Sequence, residues 1–410
     1  MSQTGTATSL PAVSSAPDPR RERVWFAHAI RGPACILVVL AHLADVFPND
    51  QTAAAAVGHF SPVHGLPSVP WAGALRVLAA HDVTLGAVGV LLFFLVSGFV
   101  IPFSLERGDP RGFAFRRFCR LYPTLWACLA VTVTALVVQG HLLHTSFPYG
   151  RRTLVADGLL IAPYTKPGWV EPVLWSLAVE ELFYLVAAIL GWRALLARRG
   201  AVLGVAAGVA AVALATRTAV PGSPLFWLGF NATFVTVILV GVALHQRYRR
   251  RWSTTDCAVV AGTAFATYLM SLHNGPAAAV SGIYTVSAVI ALAAFGALFA
   301  ARDHLPYSRT VDRLSDVSYP LYLLHGVNGY VVLRAVFVAT GNYYLGLAAA
   351  LAAAVAVAAA IHVLVETPTN DFGRRLARRL PPRPTRMRLR VPARNASTKP
   401  IGAMRNTTPR

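Results

Sequence analysis

The chain has 410 residues, of which 55% are hydrophobic and 13% charged, and its mean hydropathy is +0.54. A water-soluble domain carries about 25% charged residues, so the composition excludes an ordinary globular enzyme and points to a membrane protein. The formal net charge of +20 suggests nucleic acid, but 35 of the 37 cations are arginines and 12 of the 37 follow Asn370; that distribution signals topology and attraction to anionic lipid, and no nucleic-acid partner is expected.

Residues 1–22 are rich in Ser, Thr, Ala and Pro and are expected to form a disordered tail. Apolar runs near 20 residues then recur, at 27–47, 83–104, 121–139, 173–192, 201–219, 225–245, 255–273, 277–300, 317–338 and 345–365. They lack the period-2 alternation of a membrane barrel, so the expected fold is all-α, a polytopic membrane bundle of about ten transmembrane helices. The stretch 153–164 is too short to cross and reads as interfacial or re-entrant. The membrane domain is expected over 23–369, followed by a basic, largely disordered tail over 370–410.

Loop charge orients this bundle. With the N-terminus inside, the inner loops hold Arg107, Arg111, Arg116, Arg117, Arg120, three arginines over 193–199, Arg247, Arg249 to Arg251, Arg302, Arg309 and Arg313, against only Arg76, Arg151, Arg152, Lys166 and Arg217 outside. Both termini are therefore expected in the cytoplasm. The long outer loops, about 48–82 and 140–172, are rich in His, Gly, Pro and aromatics and suit a lid or a binding rim. Cys35, Cys119, Cys128 and Cys257 lie in or beside apolar runs at irregular spacing, which fits core hydrophobes and neither a disulfide framework nor a metal site.

Within the spans, a few polar residues stand out because lipid makes them costly. Arg31 and His42 are eleven residues apart, about 16 Å along one helix face, with Asp45 one turn beyond His42. Neutral His42 is a ready general base, and Asp45 either fixes its tautomer or simply ends the helix in water. Ser97 and Gly98 permit close helix packing or place a hydroxyl beside a reaction site. Arg117 and Arg120 are one turn apart where a phosphate-bearing ligand would arrive from the cytoplasm, though a topology signal also explains them. Glu180 shares a face with Ser176 and Tyr184, just after Trp175, and needs a partner, an arginine ion pair being the plainest. Ser318, Tyr322 and His325 share a stripe, with interhelical hydrogen bonding the first reading for Tyr322. Glu366 and Pro368 read as a helix stop with an inner salt bridge. Pro33 is expected within the first turn or two of its helix, where it is tolerated.

In this order, these stretches resemble the acyltransferase-3 family of integral membrane O-acyltransferases, from about Arg23 to Arg379. The resemblance implies acyl transfer from a cytoplasmic donor, typically acyl-CoA, to an acceptor that is often a sugar hydroxyl. It implies that His42 is catalytic and that Arg31, Arg117 and Arg120 are needed for activity, the last two near the donor. Glu180 joins His42 and Arg31 as a catalytic candidate; Asp45, Ser97, Trp175, Ser176, Tyr322 and His325 are candidates for substrate contact or support. The expected function is transfer of an acetyl or other short acyl group from acyl-CoA, a co-substrate with no tightly bound cofactor and no metal. The acceptor would be a hydroxyl of a sugar, cell-surface glycan or glycosylated secondary metabolite. An acyl-histidine intermediate is an alternative route, and a transporter or flippase using Arg31, His42 and Glu180 as a polar path is the rival function. The expected location is the cell membrane, multi-pass, in a bacterium whose Arg and Ala bias suggests a GC-rich genome.

Overall fold

The structure, a computed structural model, describes residues 24–106, 110–165, 168–190 and 198–379. The predicted tail over 1–22 and the part of the 370–410 tail beyond residue 379 lie outside the described residues. The described residues form helices joined by turns and contain no strand, as expected of a bundle whose backbone must satisfy itself in lipid.

Every predicted span meets a helix. The first is α1 (Trp25–Leu40), continued by a π-helical turn over Ala41–Val46. After α2 (Gln51–Gly58) and α3 (Ala72–Ala80) come α4 (Leu85–Glu106) and α5 (Pro110–Leu143). The stretch predicted as interfacial forms two short helices, α6 (Arg151–Gly158) and α7 (Ala162–Thr165). Then follow α8 (Trp175–Leu190), α9 (Arg199–Ala215), α10 (Pro224–Tyr248), α11 (Thr254–Asn274), α12 (Ser281–Ala300) and α13 (Arg309–Asp316). The last are α14 (Ser318–Leu324), α15 (Val327–Thr340), α16 (Tyr343–Ile361) and α17 (Thr367–Arg379).

Eight stretches among the described residues are long and apolar enough to cross a membrane, and α14 with α15, bent by 60°, makes a ninth. The helix α9 has 17 residues, about 26 Å at 1.5 Å per residue, slightly less than a ~30 Å hydrocarbon core. Large apolar side chains such as Val138, Leu142, Leu185, Ile189, Val363 and Leu364 are exposed on the bundle surface, as lipid contact requires.

The helices α4 and α10 form the centre, each with 72% of its apolar window enclosed by protein. They cross closely because both carry glycine at the contact: a Cβ at Gly98 would overlap the Ile238 carbonyl, and one at Gly241 the Leu95 carbonyl. With successive helices alternating in direction, the arginine-rich loops gather at one end, hereafter the basic end. Residues 48–82, 144–165 and 168–171 gather at the other, the far end.

Three local departures from the expected helices shape the site. Pro33 is the ninth residue of α1, not part of its first turns, and its ring faces outward. The neighbouring Gly32 N–H donates to Ser315 Oγ at 3.0 Å, so α13 holds α1 at this point. The π-turn at Ala41–Val46 has an external cause: the Leu43 carbonyl accepts from Tyr343 OH at 2.9 Å and the Ala44 carbonyl from Trp71 Nε1 at 2.8 Å. Side chains reaching into the carbonyl ladder widen a turn in this way. Finally, Glu366 does not stop a helix. The chain passes through a second π-turn over His362–Glu366 and continues as α17, so the boundary expected at 369/370 falls inside a helix.

Candidate active site

A cavity of about 1060 Å³ enters the bundle from the basic end. Its mouth is lined by His28, Glu106, Arg249, Asp316 and Arg374, its middle by Arg31, Ser97, Arg117, Arg120, Glu180 and Glu366, and its innermost wall by Phe93, Ser176 and Tyr322. Seven of the eleven predicted site residues thus share one space: Arg31, Ser97, Arg117, Arg120, Ser176, Glu180 and Tyr322.

Glu180 is the organiser of the middle. One carboxylate oxygen accepts from Ser97 Oγ; the other accepts from Tyr184 OH at 3.3 Å and lies 3.6 Å from Arg117 Nη2. The Arg117 guanidinium also stacks 4.8 Å above the Tyr184 ring. The arginine partner that the lone carboxylate required is therefore Arg117. Gly98 packs α4 on α10, while Ser97 faces the cavity. Arg31 and Arg120 line the same space yet make no ion pair or hydrogen bond among the described residues, in contrast to Arg117. Two guanidiniums that face the cavity with no direct ion pair, although Glu180 and Glu366 share its lining, suit an anionic ligand.

At the mouth, Glu106 accepts from His245 Nε2 at 3.0 Å and pairs with Arg249 at 3.2 Å and with Arg251, a knot closing one side. On the other side His28 Nε2 lies 3.0 Å from Asp312 Oδ1 and 3.8 Å from Asp316 Oδ1, while Tyr307 OH donates to Asp312 at 2.8 Å. These ligand-type atoms fall within 4.8 Å of one another but engage each other, as a hydrogen-bonded rim does. Glu366 accepts or shares a proton with His362 Nδ1 at 2.8 Å, so its partner is a histidine one turn away and not the arginines that follow.

His42 stands beyond the inner wall and is not part of the cavity lining. The Tyr322 ring of that wall lies 5.5 Å from the His325 ring, which in turn meets the His42 ring edge to face at 4.9 Å. Tyr322 OH bonds Ser176 Oγ at 2.8 Å, the interhelical role expected of it. His42 Nδ1 is 3.0 Å from Tyr330 OH. His325 is fully buried; its Nδ1 bonds the Tyr322 carbonyl at 2.7 Å and its Nε2 has no hydrogen-bond partner.

The structure selects between open readings for two residues. Asp45 does not orient His42: the π-turn rotates it off that face, and it accepts from Asn49 Nδ2 at 3.0 Å instead. Trp175 does not line the cavity; its ring packs among Phe94, Phe230 and Phe234 at 5.9, 5.5 and 5.2 Å. The sequence reading missed Tyr330. The signal available was the glycine pair Gly326 and Gly329 inside an apolar run, which marks the break that turns α15 toward His42.

Glu171 sets that break. Its Oε2 accepts from Val327 N at 3.3 Å at the first turn of α15, and its carboxylate occupies the space a Cβ at Gly326 would need. Asp157 in turn accepts from the backbone N–H groups of Val170 and Glu171 at 2.7 and 3.3 Å. Burial pushes the Glu171 carboxyl up to about 8, with Asp157 adding to the rise, and pushes Asp157 up to about 7 despite its two N–H donors.

A model of an acyltransferase domain, that of the acyltransferase-3 family, matches residues 24–363. The chain belongs to this family. It is a membrane acyltransferase, and the rival transporter reading is set aside. Nodulation protein 10 of Rhizobium leguminosarum bv. viciae is 29% identical over 299 residues, covering 64% of this chain and 77% of that protein. Acyltransferase MdmB of Streptomyces mycarofaciens is 35% identical over 115 residues, 26% of this chain and 28% of the relative. Exopolysaccharide production protein ExoZ of Rhizobium meliloti (strain 1021) is 34% identical over 117 residues, 26% of this chain and 35% of the relative. No solved structure gives a significant match.

Proposed function

We propose that the enzyme moves an acetyl or other short acyl group from acyl-CoA to a hydroxyl of a sugar, a cell-surface glycan or a glycosylated secondary metabolite. The observation that carries the donor is the pair of guanidiniums without a direct ion pair, Arg31 and Arg120, in a 1060 Å³ cavity open at the basic end. Phosphates of CoA supply the missing charge, and the space suits a ligand of that size. The positive-inside bias supports a cytoplasmic basic end and cytoplasmic termini, on the side where acyl-CoA is found. The count of ten spans rests on including the short α9 and treating α14 with α15 as one. The acceptor class draws its support from the relatives, one of which is named for exopolysaccharide production and another as an acyltransferase.

In this reading the thioester enters past Arg117, Arg120 and Arg31 and reaches the wall of Phe93 and Tyr322. His42 takes the proton of the acceptor hydroxyl as its oxygen attacks the thioester carbonyl; the C–O bond forms, the C–S bond breaks, and the imidazolium returns its proton to the departing thiolate. Reacting atoms must come within about 3–3.5 Å, so a ring of that wall moves aside during turnover. Glu180 acts as a positioning residue through Arg117 and Ser97, and His325 packs the His42 ring in place. Mass spectrometry of envelope glycans and secreted metabolites, with and without the protein, tests the reading: one acyl mass difference is expected, and identical spectra together with no acetyl-CoA binding by purified protein would overturn it.

A further inference from the structure

A second pocket, of about 490 Å³, lies at the far end of the bundle, lined among others by His59, Phe60, Gln139, Thr145, Ser146 and Arg334. Arg334 is the anomaly there. It sits in the apolar helix α15, far from the arginine-rich loops, and among the described residues it has no carboxylate partner. Its guanidinium lies 5.3 Å above the Phe60 ring, and its Nε is buried without a hydrogen-bond partner. A cation in a membrane helix is costly unless something answers its charge, and a phenyl face answers it only weakly. The other titratable group in the lining is His59, which bonds Tyr149 OH at 2.6 Å and is held below the usual imidazole range by burial. Arg334 is thus the lone fixed charge of the lining.

The pocket is also built, and one aromatic ring, Phe47, separates it from Tyr330. Gln139 Nε2 donates to the carbonyls of Gly58 and His59 at 2.7 and 3.2 Å, fixing the loop that carries Phe60. Arg334 follows Tyr330 by one turn on the same face of α15, and Tyr330 bonds His42. Phe47 stands between, 5.8 Å from the Tyr330 ring and 6.3 Å from that of Phe60. The remaining lining offers an aromatic face and hydroxyls, the groups that recognise a sugar ring.

We propose that this pocket is the acceptor site and that Arg334 binds an oxyanion, a carboxylate or a phosphate, carried by a sugar acceptor. This rests on the acyl-transfer reading but names the acceptor as anionic and places its entry opposite the donor. The full-length protein in phosphatidylcholine nanodiscs, titrated with glucuronate, glucose 1-phosphate and uncharged glucose, tests it. At least one charged sugar is expected to bind about tenfold or more tightly than glucose, and Arg334→Gln is expected to remove that advantage. Preference for glucuronate over glucose 1-phosphate, or the reverse, identifies the oxyanion. Acetyl-CoA binding, which reports the donor reading separately, should be unchanged in Arg334→Gln, and its loss in the wild type would strike that reading alone. If Arg334→Gln does not fold, Arg334→Lys and the salt dependence of wild-type binding serve instead: retained binding by Lys and weakening with salt are expected. Equal binding of charged and uncharged sugars, or binding indifferent to Arg334, overturns the proposal. So does an Arg334-dependent response to phosphatidylglycerol in the nanodisc with none to the sugars, which would make this a lipid headgroup site.

Discussion

The basic-end cavity and the far-end pocket solve different problems with the same residue type. Three arginines in the middle of the cavity, Arg31, Arg117 and Arg120, come from two helices, and one of them is paired with Glu180. The far-end pocket has one arginine on a half-helix, and its walls come about equally from helices and from the loops that follow them. A large polyanion such as CoA needs several cations on rigid elements, whereas a single oxyanion on a sugar needs one, with adaptable loops around it. Between the two lies a layer of rings, Tyr322, His325, His42 and Tyr330, linked at 5.5, 4.9 and 6.0 Å centroid to centroid. In the proposed reading, the difference teaches that the charge marks the ligands while the uncharged layer separating them holds the base.

The largest effect is expected at that layer. His42→Ala should lower the transfer rate by about 10²–10⁴-fold, the usual contribution of a general base, while acetyl-CoA binding stays near wild type. A drop in donor binding of similar size would merge the two compartments into one and break the comparison. Next come the donor arginines. Arg120→Ala should lower kcat/KM for acyl-CoA by roughly 10- to 150-fold, the loss of one charge-assisted hydrogen bond of about 1.5–3 kcal/mol. Arg117→Ala should cost at least as much because it also strands Glu180; donor kinetics unchanged in both would reduce the pair to a topology signal.

The donor side was the more legible in the sequence, for a physical reason. Ionisable residues inside apolar runs are few because each is costly, so Arg31, His42, Arg117, Arg120 and Glu180 stand out with no structure in hand. What stayed hidden depends on long-range contacts. The π-turn that frees Asp45 from His42 exists because Tyr343 and Trp71, 300 and 27 residues away, reach Leu43 and Ala44. The break before α15 depends on Glu171, which sits in a different loop. Arg334 was hidden by its surroundings: it lies within a predicted span near its end, where a snorkelling side chain needs no explanation. Trp175, adjacent to Ser176 in sequence, points to an aromatic cluster that only the packing of α8 on α10 creates.

A smaller effect concerns the support of the far end. Glu171 and Asp157 have folded pKa values of about 8 and about 7, above the ~4 of unfolded carboxyls. The folded state therefore binds more protons than the unfolded one. Their contribution to stability is full below about pH 4 and is lost as pH rises through about 7 to 8. The thermal midpoint of the wild type in detergent should fall between about pH 5.5 and 8.5, and Glu171→Gln or Asp157→Asn should flatten that decline by a few degrees. An undiminished decline in both variants would place the proton-linked groups elsewhere.

Sealed membrane vesicles from producing cells provide the most direct measurement, because acyl-CoA does not cross lipid. Radiolabelled acetyl-CoA is supplied to inverted vesicles, which expose the basic end, and to right-side-out vesicles, which expose the far end. Labelled product is expected from inverted vesicles alone, and His42→Gln, which keeps hydrogen-bonding capacity without basicity, should abolish it while the protein still binds acetyl-CoA. Product from right-side-out vesicles, or near-normal turnover by well-folded His42→Gln, would contradict the account.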